Sequence, residues 1–98
     1  MTATVASRRA VLHGAARILE QVGWTQGTPT DINGRVCARQ AIFLAADGDR
    51  AAAVTALQDT ARFLEPLKQD LVEWNDLPGR RQEHAVALLR TVAGRVAA

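Results

Sequence analysis

The sequence predicts a mainly α-helical fold: a small four-helix domain with a short β-hairpin between helices 1 and 2. Nineteen of the 98 residues are alanine and eleven of the twelve basic residues are arginine, and both residue types favour helices. Aliphatic residues also recur at intervals of three and four, the period of a helix with one buried face. Because a chain of this length suits one compact unit, residues 1–98 are assigned to a single helical domain.

The first helix is expected to span about residues 7–22. Ser7 has a side chain suited to the N-cap, and Gly23 suits the position after the last turn, where the backbone often adopts positive φ. The inward face should be formed by Val11, Ala15, Ile18 and Val22, with Leu12 and Leu19 widening it.

The β-hairpin is predicted within residues 24–36, where Asn33 and Gly34 stand between Ile32 and Val36. Asn-Gly is the favoured pair for a two-residue hairpin turn, because both turn positions need positive φ. Two strands are only marginally stable by themselves in water. The hairpin should therefore pack against the helices.

Three further helices should complete the domain. The second is expected over residues 37–46, and the third should run from an N-cap at Asp49 to about residue 65, where Pro66 disfavours further helix. Residues 74–79 are expected to form a loop before the last helix, which should begin near residue 80. The residues expected to face inward are Ala38, Ala41, Ile42 and Ala45 in the second helix, Val54, Leu57, Ala61 and Leu64 in the third, and Ala85, Leu89, Val92 and Val96 in the last.

The net charge of +2 is unevenly distributed along the chain. Residues 1–22 carry +2 and residues 80–98 carry +3, whereas the segment between them carries −3. The two basic ends could pair with the acidic centre within the fold, or could face an acidic partner. If that partner were nucleic acid, Arg81, Arg90 and Arg95 of the last helix would contact its phosphates.

The cysteine content and the N-terminal region indicate a cytoplasmic protein. Cys37 is the single cysteine, so no internal disulfide can form. Residues 7–12 match a twin-arginine export pattern, but His13 and Arg17 interrupt the apolar stretch that a signal peptide would need. The same polar residues argue against a membrane span, which needs about 20 predominantly apolar residues.

The residues that usually carry catalysis or bind metals do not match a known template here. The glycines form no phosphate-binding loop. Cys37 could be paired with His13 or His84 as nucleophile and base, but a lone cysteine in an alanine-rich helix is more typical of a small core residue. Residues 47–49 resemble the start of a calcium loop, but its twelfth position is Gln58 rather than glutamate. No catalytic residue, metal site or cofactor is therefore assigned, and an enzyme is disfavoured.

The most distinctive motif is Trp-Asn-Asp-x-Pro-Gly-Arg at residues 74–80. As a structural element, Asp76 could pair with Arg80 in a turn, while Trp74 packs in the core with its indole N–H bonded near Gln26. The alternative is a polar-lined pocket for a small ligand or a peptide. Its lining would be Trp24, Gln26, Cys37, Trp74, Asn75, Asp76 and Arg80.

Through this motif the sequence resembles a family of small actinobacterial and actinophage proteins, grouped as a domain of unknown function with the same signature. The resemblance extends over most of the chain, and also includes Gly23-Trp24-x-Gln26-Gly27, the turn at Asn33-Gly34-Arg35 and the pair Cys37-Ala38. The family usually has threonine after Pro-Gly-Arg as a helix cap, whereas this chain has Arg81, so its last helix should be capped differently. The resemblance implies a fold but no activity.

Three functions are compatible with these observations. The leading hypothesis is a small non-enzymatic module that binds another protein, or a second copy of itself, through a helix face. The first alternative is a DNA-binding accessory protein that uses its arginine-bearing terminal helices. The second alternative is a small-ligand-binding protein or enzyme built on the Trp/Gln/Asn/Asp cluster.

Overall fold

A computed structural model describes residues 5–96, and the regular structure of this part of the chain is helical. Five α-helices and one 3-10 turn follow one another in these residues. They are α1 (Val5–Val22), α2 (Ala38–Ala46), α3 (Arg50–Leu64), the 3-10 turn (Glu65–Leu67), α4 (Leu71–Asn75) and α5 (Gln82–Arg95). The prediction of a mainly α fold is confirmed, but within residues 5–96 there is one helix more than the four predicted.

The additional helix, α4, occupies the start of the predicted 74–79 loop because Asp70 caps it. The Asp70 carboxylate accepts the backbone N–H of Glu73 at 2.8 Å, and the Glu73 carboxylate accepts that of Asp70 at 3.4 Å. Such a capping box satisfies two backbone donors that a helix start leaves without intrahelical partners. Trp74 and Asn75 consequently lie on a helix, which fixes the directions of their side chains.

Helix α1 packs against α2, α3 and α5 and so runs through the centre of the fold. It begins at Val5, so Ser7 lies inside the helix rather than at its N-cap. Gly23 ends it as predicted, with φ of +96° and its N–H donated to the carbonyl of Leu19 at 3.0 Å. The inward face is rotated slightly from the predicted one: Val22 is 45% exposed, whereas Val11, Leu12, Ala15, Ala16 and Leu19 are buried.

Helices α2 and α5 bury the faces that their sequences predict, whereas α3 buries a different one. All but one of the predicted inward residues of these two helices are buried: Ala38, Ala41, Ile42, Ala85, Leu89, Val92 and Val96. The remaining one, Ala45, is partly buried against the core. On α3 only Leu64 of the predicted face is fully buried, although Leu57 is partly buried against the core. The other buried residues of this helix are Ala52, Ala53, Ala56 and Thr60. The predicted Val54 is 39% exposed. Most of the buried residues of α3 are therefore small, and small side chains let helix backbones approach closely.

The predicted β-hairpin is not formed, and the described residues contain only isolated bridges in this region. Val36 pairs with Trp24 in parallel and with Thr30 in antiparallel orientation. Gly34 has φ of +80°, but Asn33 does not have the positive φ that the predicted turn requires. Asp31 accounts for the difference, because its carboxylate accepts the backbone N–H groups of Asn33 and Arg35, each at 2.9 Å. Aspartate side chains commonly compete in this way with backbone ladders.

The molecule is a flattened body whose Cα atoms extend over 33 × 29 × 17 Å. Since a helix with its side chains is about 10–12 Å across, the shortest dimension corresponds to roughly two helical layers. None of the helices within residues 5–96 combines the length and the apolar character needed to cross a membrane.

Candidate functional site

The candidate site lies where the segment after α1, the start of α2 and the end of α4 meet. Asn75 is fully buried at the last residue of α4, and Trp74 beside it is 6% exposed. The segment that follows α1 reaches them because Gly23 turns the chain: a Cβ atom at this position would lie 2.8 Å from Cγ of Arg35. Glycine at residue 23 therefore allows both the positive φ and the close approach.

The side-chain amide of Asn75 connects three separate segments. Its Oδ1 atom accepts the indole N–H of Trp24 at 2.7 Å and the backbone N–H of Ala38 at 3.0 Å. Its Nδ2 atom donates to the carbonyl of Thr25 at 3.1 Å and to Oδ1 of Asp76 at 2.9 Å. An asparagine amide offers two donor hydrogens and two acceptor lone pairs. All four are used inside the protein, so this amide is fully occupied.

Gln26 and Gly27 close the cluster from the solvent side. The Gln26 amide nitrogen donates to the carbonyls of Asn75 and Leu77 at 3.0 and 2.9 Å. The backbone N–H of Gly27 donates to Oδ1 of Asp76 at 3.0 Å. We refer to Trp24, Gln26, Gly27, Asn75 and Asp76 as the Asn75 cluster. The cluster fixes the segment after α1 to the end of α4.

Two predicted contacts of the Trp-Asn-Asp motif are replaced by others. Asp76 does not pair with Arg80; instead Arg80 Nε donates to the carbonyl of Trp74 at 3.0 Å, and its guanidinium carbon lies 3.9 Å from the centre of the Trp74 ring. The indole N–H that enters the polar cluster is that of Trp24, not that of Trp74. Trp74 does pack in the core as predicted. Arg80 therefore covers Trp74 as a cation–π partner.

Pro78 and Gly79 form the predicted change of direction before α5. The N–H of Arg80 donates to the carbonyl of Leu77 at 3.1 Å, and Gly79 has φ of +85°. Proline in the second and a positive-φ glycine in the third position suit such a four-residue turn. The cap of α5 differs from a hydroxyl cap, as expected: Nδ1 of His84 accepts the backbone N–H of Arg81 at 3.0 Å.

Cys37 is the N-cap of α2 and borders a small cleft. Its sulfur accepts the N–H of Gln40 at 3.4 Å, and its own N–H donates to the carbonyl of Pro29 at 2.9 Å. The cleft has a volume of about 110 Å³. It is lined by Gly27, Thr28, Pro29, Cys37, Arg39, Val72, Asn75 and Asp76, and we call it the Pro29 cleft. The side of this cleft formed by Asn75 and Asp76 is the edge of the Asn75 cluster.

The structure thus distributes the seven predicted site residues over three neighbouring groups. Four of them meet in the Asn75 cluster, namely Trp24, Gln26, Asn75 and Asp76. Cys37 lies with Asn75 and Asp76 at the Pro29 cleft. Arg80 stacks on Trp74. Sequence reasoning missed Pro29, Arg39 and Val72 as lining residues. No pattern connects them, because they come from three segments that only the fold brings together.

Asp31 stabilises the turn that borders this region. Its side chain is 13% exposed and lies 2.7 Å from Nε of Arg35. Partial desolvation raises the pKa of Asp31, but the side-chain and backbone hydrogen bonds from Arg35 and the backbone N–H of Asn33 outweigh it, so the pKa is lowered. A lowered pKa means that the turn gains stability above the ordinary pKa of a carboxyl group and loses it as the pH falls.

The arginines of the nucleic-acid hypothesis do not share one surface. Arg81 and Arg90 line the same groove, but each lies close to a carboxylate: Arg81 is 3.0 Å from Glu83, and Arg90 is 2.6 Å from Glu20. Arg95 lines a different cleft. The positive charges of Arg81 and Arg90 are therefore largely compensated by these neighbouring carboxylates.

These features define a mainly α-helical protein in which the buried side chain of Asn75 fixes the segment after α1 to the short helix α4. The model of a family of unknown function, DUF6197, matches residues 3–95. The chain belongs to this family. No curated protein and no solved structure matches this chain.

Proposed function

We propose that this protein is a small non-enzymatic interaction module that binds a partner polypeptide by accepting one apolar side chain in the Pro29 cleft. The observation that carries the proposal is the size of the cleft, about 110 Å³. A cavity of roughly 150 Å³ accommodates benzene, and sites for drug-sized ligands usually span about 300–1,000 Å³. The cleft therefore suits a side chain better than a cofactor.

The chemistry of the cleft supports binding rather than catalysis. The Asn75 amide behind it has used all four of its hydrogen-bonding groups, and Oδ1 of Asp76 already accepts two N–H groups. The sulfur of Cys37 caps α2. A site whose polar groups already bind one another is rigid, which lowers the entropic cost of binding.

An exposed apolar side chain at the cleft would extend the contact with a partner. Val72, which lines the cleft on α4, is 44% exposed. Exposed apolar groups next to a concave site are typical of interaction surfaces. A helix face carrying Val72 would then meet the partner, as the leading sequence hypothesis expects.

The proposal is tested by selecting peptides from a displayed random library against the full chain. We expect the selected peptides to share an aliphatic anchor residue. Isothermal titration should show that Val72→Glu weakens their binding at least about tenfold, because a carboxylate would have to be desolvated at the cleft. Val54→Glu is the matched control, since Val54 is similarly exposed but lies on α3.

Two outcomes would contradict the proposal. One is a selection that yields no peptide whose binding saturates. The other is equal binding of the selected peptides to the two glutamate variants. Thermal unfolding of both variants shows whether any loss of binding reflects a loss of structure.

The family resemblance and the composition support finer parts of the same proposal. We infer that the motif at residues 74–80 is the signature of the family and that the source is actinobacterial or an actinophage. The lone Cys37 supports a cytoplasmic protein. The DNA-binding alternative receives less support, because Arg81 and Arg90 lie beside Glu83 and Glu20.

A further inference from the structure

A second cleft, which shares no lining residue with the Asn75 cluster, contains arginines from three helices. Arg8 comes from α1, Arg62 from α3 and Arg95 from α5. The cleft has a volume of about 380 Å³, and we call it the Arg62 cleft. Its lining is completed by Asp59, Phe63, Val92 and Val96. Three positive charges face one negative charge, which leaves about +2 in the cleft.

Asp59 and Arg8 form a partly buried base for the Arg62 cleft. The Asp59 side chain is only 9% exposed, and its Oδ2 atom lies 3.2 Å from Nε of Arg8. The two atoms are buried but not aligned as a hydrogen bond. A carboxylate this buried holds the Arg8 side chain electrostatically at the base of the cleft.

The other two arginines have no carboxylate within ion-pair distance among residues 5–96. Arg62 and Arg95 are both exposed. The guanidinium carbon of Arg95 lies 5.2 Å from the centre of the Phe63 ring. Stacking on an aromatic face leaves the N–H groups at the edge of a guanidinium free to donate.

We propose that the Arg62 cleft binds the phosphate group of a small phosphorylated organic molecule. A phosphate monoester carries about −1.5 to −2 at neutral pH, which matches the charge of the cleft. Arginine guanidinium groups bind phosphate oxygens in bidentate geometry. Phe63 and Val92 supply an apolar wall for the organic part of the ligand. The volume lies in the range of small-molecule sites.

The local character of the charge distinguishes such a ligand from nucleic acid. A duplex presents phosphates over a long surface and is bound by arginines spread along it. On α5, however, Arg90 is paired with Glu20, and Arg81 at the beginning of the helix is paired with Glu83. In the Arg62 cleft, by contrast, arginines from three helices meet a single carboxylate.

The test is an NMR titration of the full ¹⁵N-labelled chain with phenyl phosphate, inorganic phosphate and phenol. We expect saturable shifts around Phe63 with phenyl phosphate, weaker binding of inorganic phosphate, and no binding of phenol. Arg62→Gln and Arg95→Gln should each weaken phenyl phosphate binding about tenfold, since each removes charged hydrogen bonds. Arg81→Gln is the control and should bind like the original chain. Both test positions are exposed, so folding should be retained.

Three results would overturn this assignment. The first is no saturable shift with phenyl phosphate at millimolar concentration. The second is binding that Arg62→Gln and Arg95→Gln leave unchanged, or binding of inorganic phosphate as tight as that of phenyl phosphate. The third is that a DNA duplex shifts the same resonances while phenyl phosphate does not, which would assign the cleft to nucleic acid.

Discussion

At the scale of single residues, Asn75 determines whether the loop after α1 stays attached to α4. It is fully buried, and its amide bonds to Trp24, Thr25, Ala38 and Asp76. Only a carboxamide offers two donors and two acceptors in so small a volume. Leucine has a similar size but would leave these partners without hydrogen bonds, and each such loss is costly in a buried site.

Replacing this residue by its carboxylate analogue tests the point with almost no change in volume. In Asn75→Asp the atom that donates to Thr25 and Asp76 becomes an acceptor, and a negative charge is placed beside the Asp76 carboxylate. We expect the free energy of unfolding to fall by about 2–4 kcal/mol, measured by urea denaturation at neutral pH.

The control makes the same chemical change on the surface. Asn33 is exposed in the turn that the Asp31 side chain stabilises. Asn33→Asp should therefore change the free energy of unfolding by less than about 0.5 kcal/mol. Comparable losses in the two variants would mean that the Asn75 amide does not have the structural role described above.

The sequence identified most members of the Asn75 cluster but not their partners. Four of its members are polar or aromatic residues in turn-rich segments of the sequence: Trp24, Gln26, Asn75 and Asp76. Two features depend on how segments some 50 residues apart meet. One is which of the two indoles enters the cluster, and the other is whether Asp76 bonds to Arg80 or to Gly27. Local turn chemistry contains no information on such long-range choices, and so these two contacts were predicted wrongly.

At the scale of elements, the small residues of α3 set the distance between this helix and its neighbours. Ala53 is fully buried, whereas Ala51 on the same helix is exposed. We expect Ala53→Leu to lower the free energy of unfolding by about 1–3 kcal/mol, because a close-packed interface cannot take up three further carbon atoms without moving.

Ala51→Leu is the matched control for this prediction. It introduces the same side chain on the solvent side and should change the free energy of unfolding by less than about 0.5 kcal/mol. Chemical denaturation of both variants provides the comparison. Equal stability of the two leucine variants would show that α3 is not closely packed at Ala53.

The elements differ in how well their sequences predict them. Periodicity predicts α5 correctly, because Ala85, Leu89 and Val92 all face the core. It selects the wrong face of α3, since alanine and larger aliphatic residues surround that helix and periodicity does not say which of them is buried. The predicted hairpin fails for a local reason: the Asp31 carboxylate accepts the N–H group of Arg35, which the two-residue turn would need.

At the scale of the whole molecule, ion pairs join parts of the chain that are far apart in sequence. Arg8 pairs with Asp59 of the acidic central segment, in line with one of the two expectations from the charge distribution. Glu20 pairs with Arg90 and thereby links α1 to α5. These pairs reduce the basic character of the terminal segments without removing it.

The surface pair Glu20–Arg90 should contribute little to stability despite its short distance. Both side chains are 46% exposed, and pairs of this kind typically contribute about 0.2–1 kcal/mol because water and salt screen them. A double-mutant cycle with Glu20→Gln and Arg90→Gln should therefore give a coupling energy below about 1 kcal/mol. A larger coupling would mean that the linkage between α1 and α5 depends on charge more than on packing.

The position of Asn75 well after its bonding partners in the chain also has a consequence for biosynthesis. Protein chains leave the ribosome N-terminus first, so Trp24, Thr25 and Ala38 are released well before their common partner. Until residue 75 emerges, the loop after α1 has no anchor at α4 and exposes an indole and several backbone groups to solvent. A nascent chain arrested before that residue should thus be cut by protease between α1 and α2, whereas the released 98-residue chain should resist.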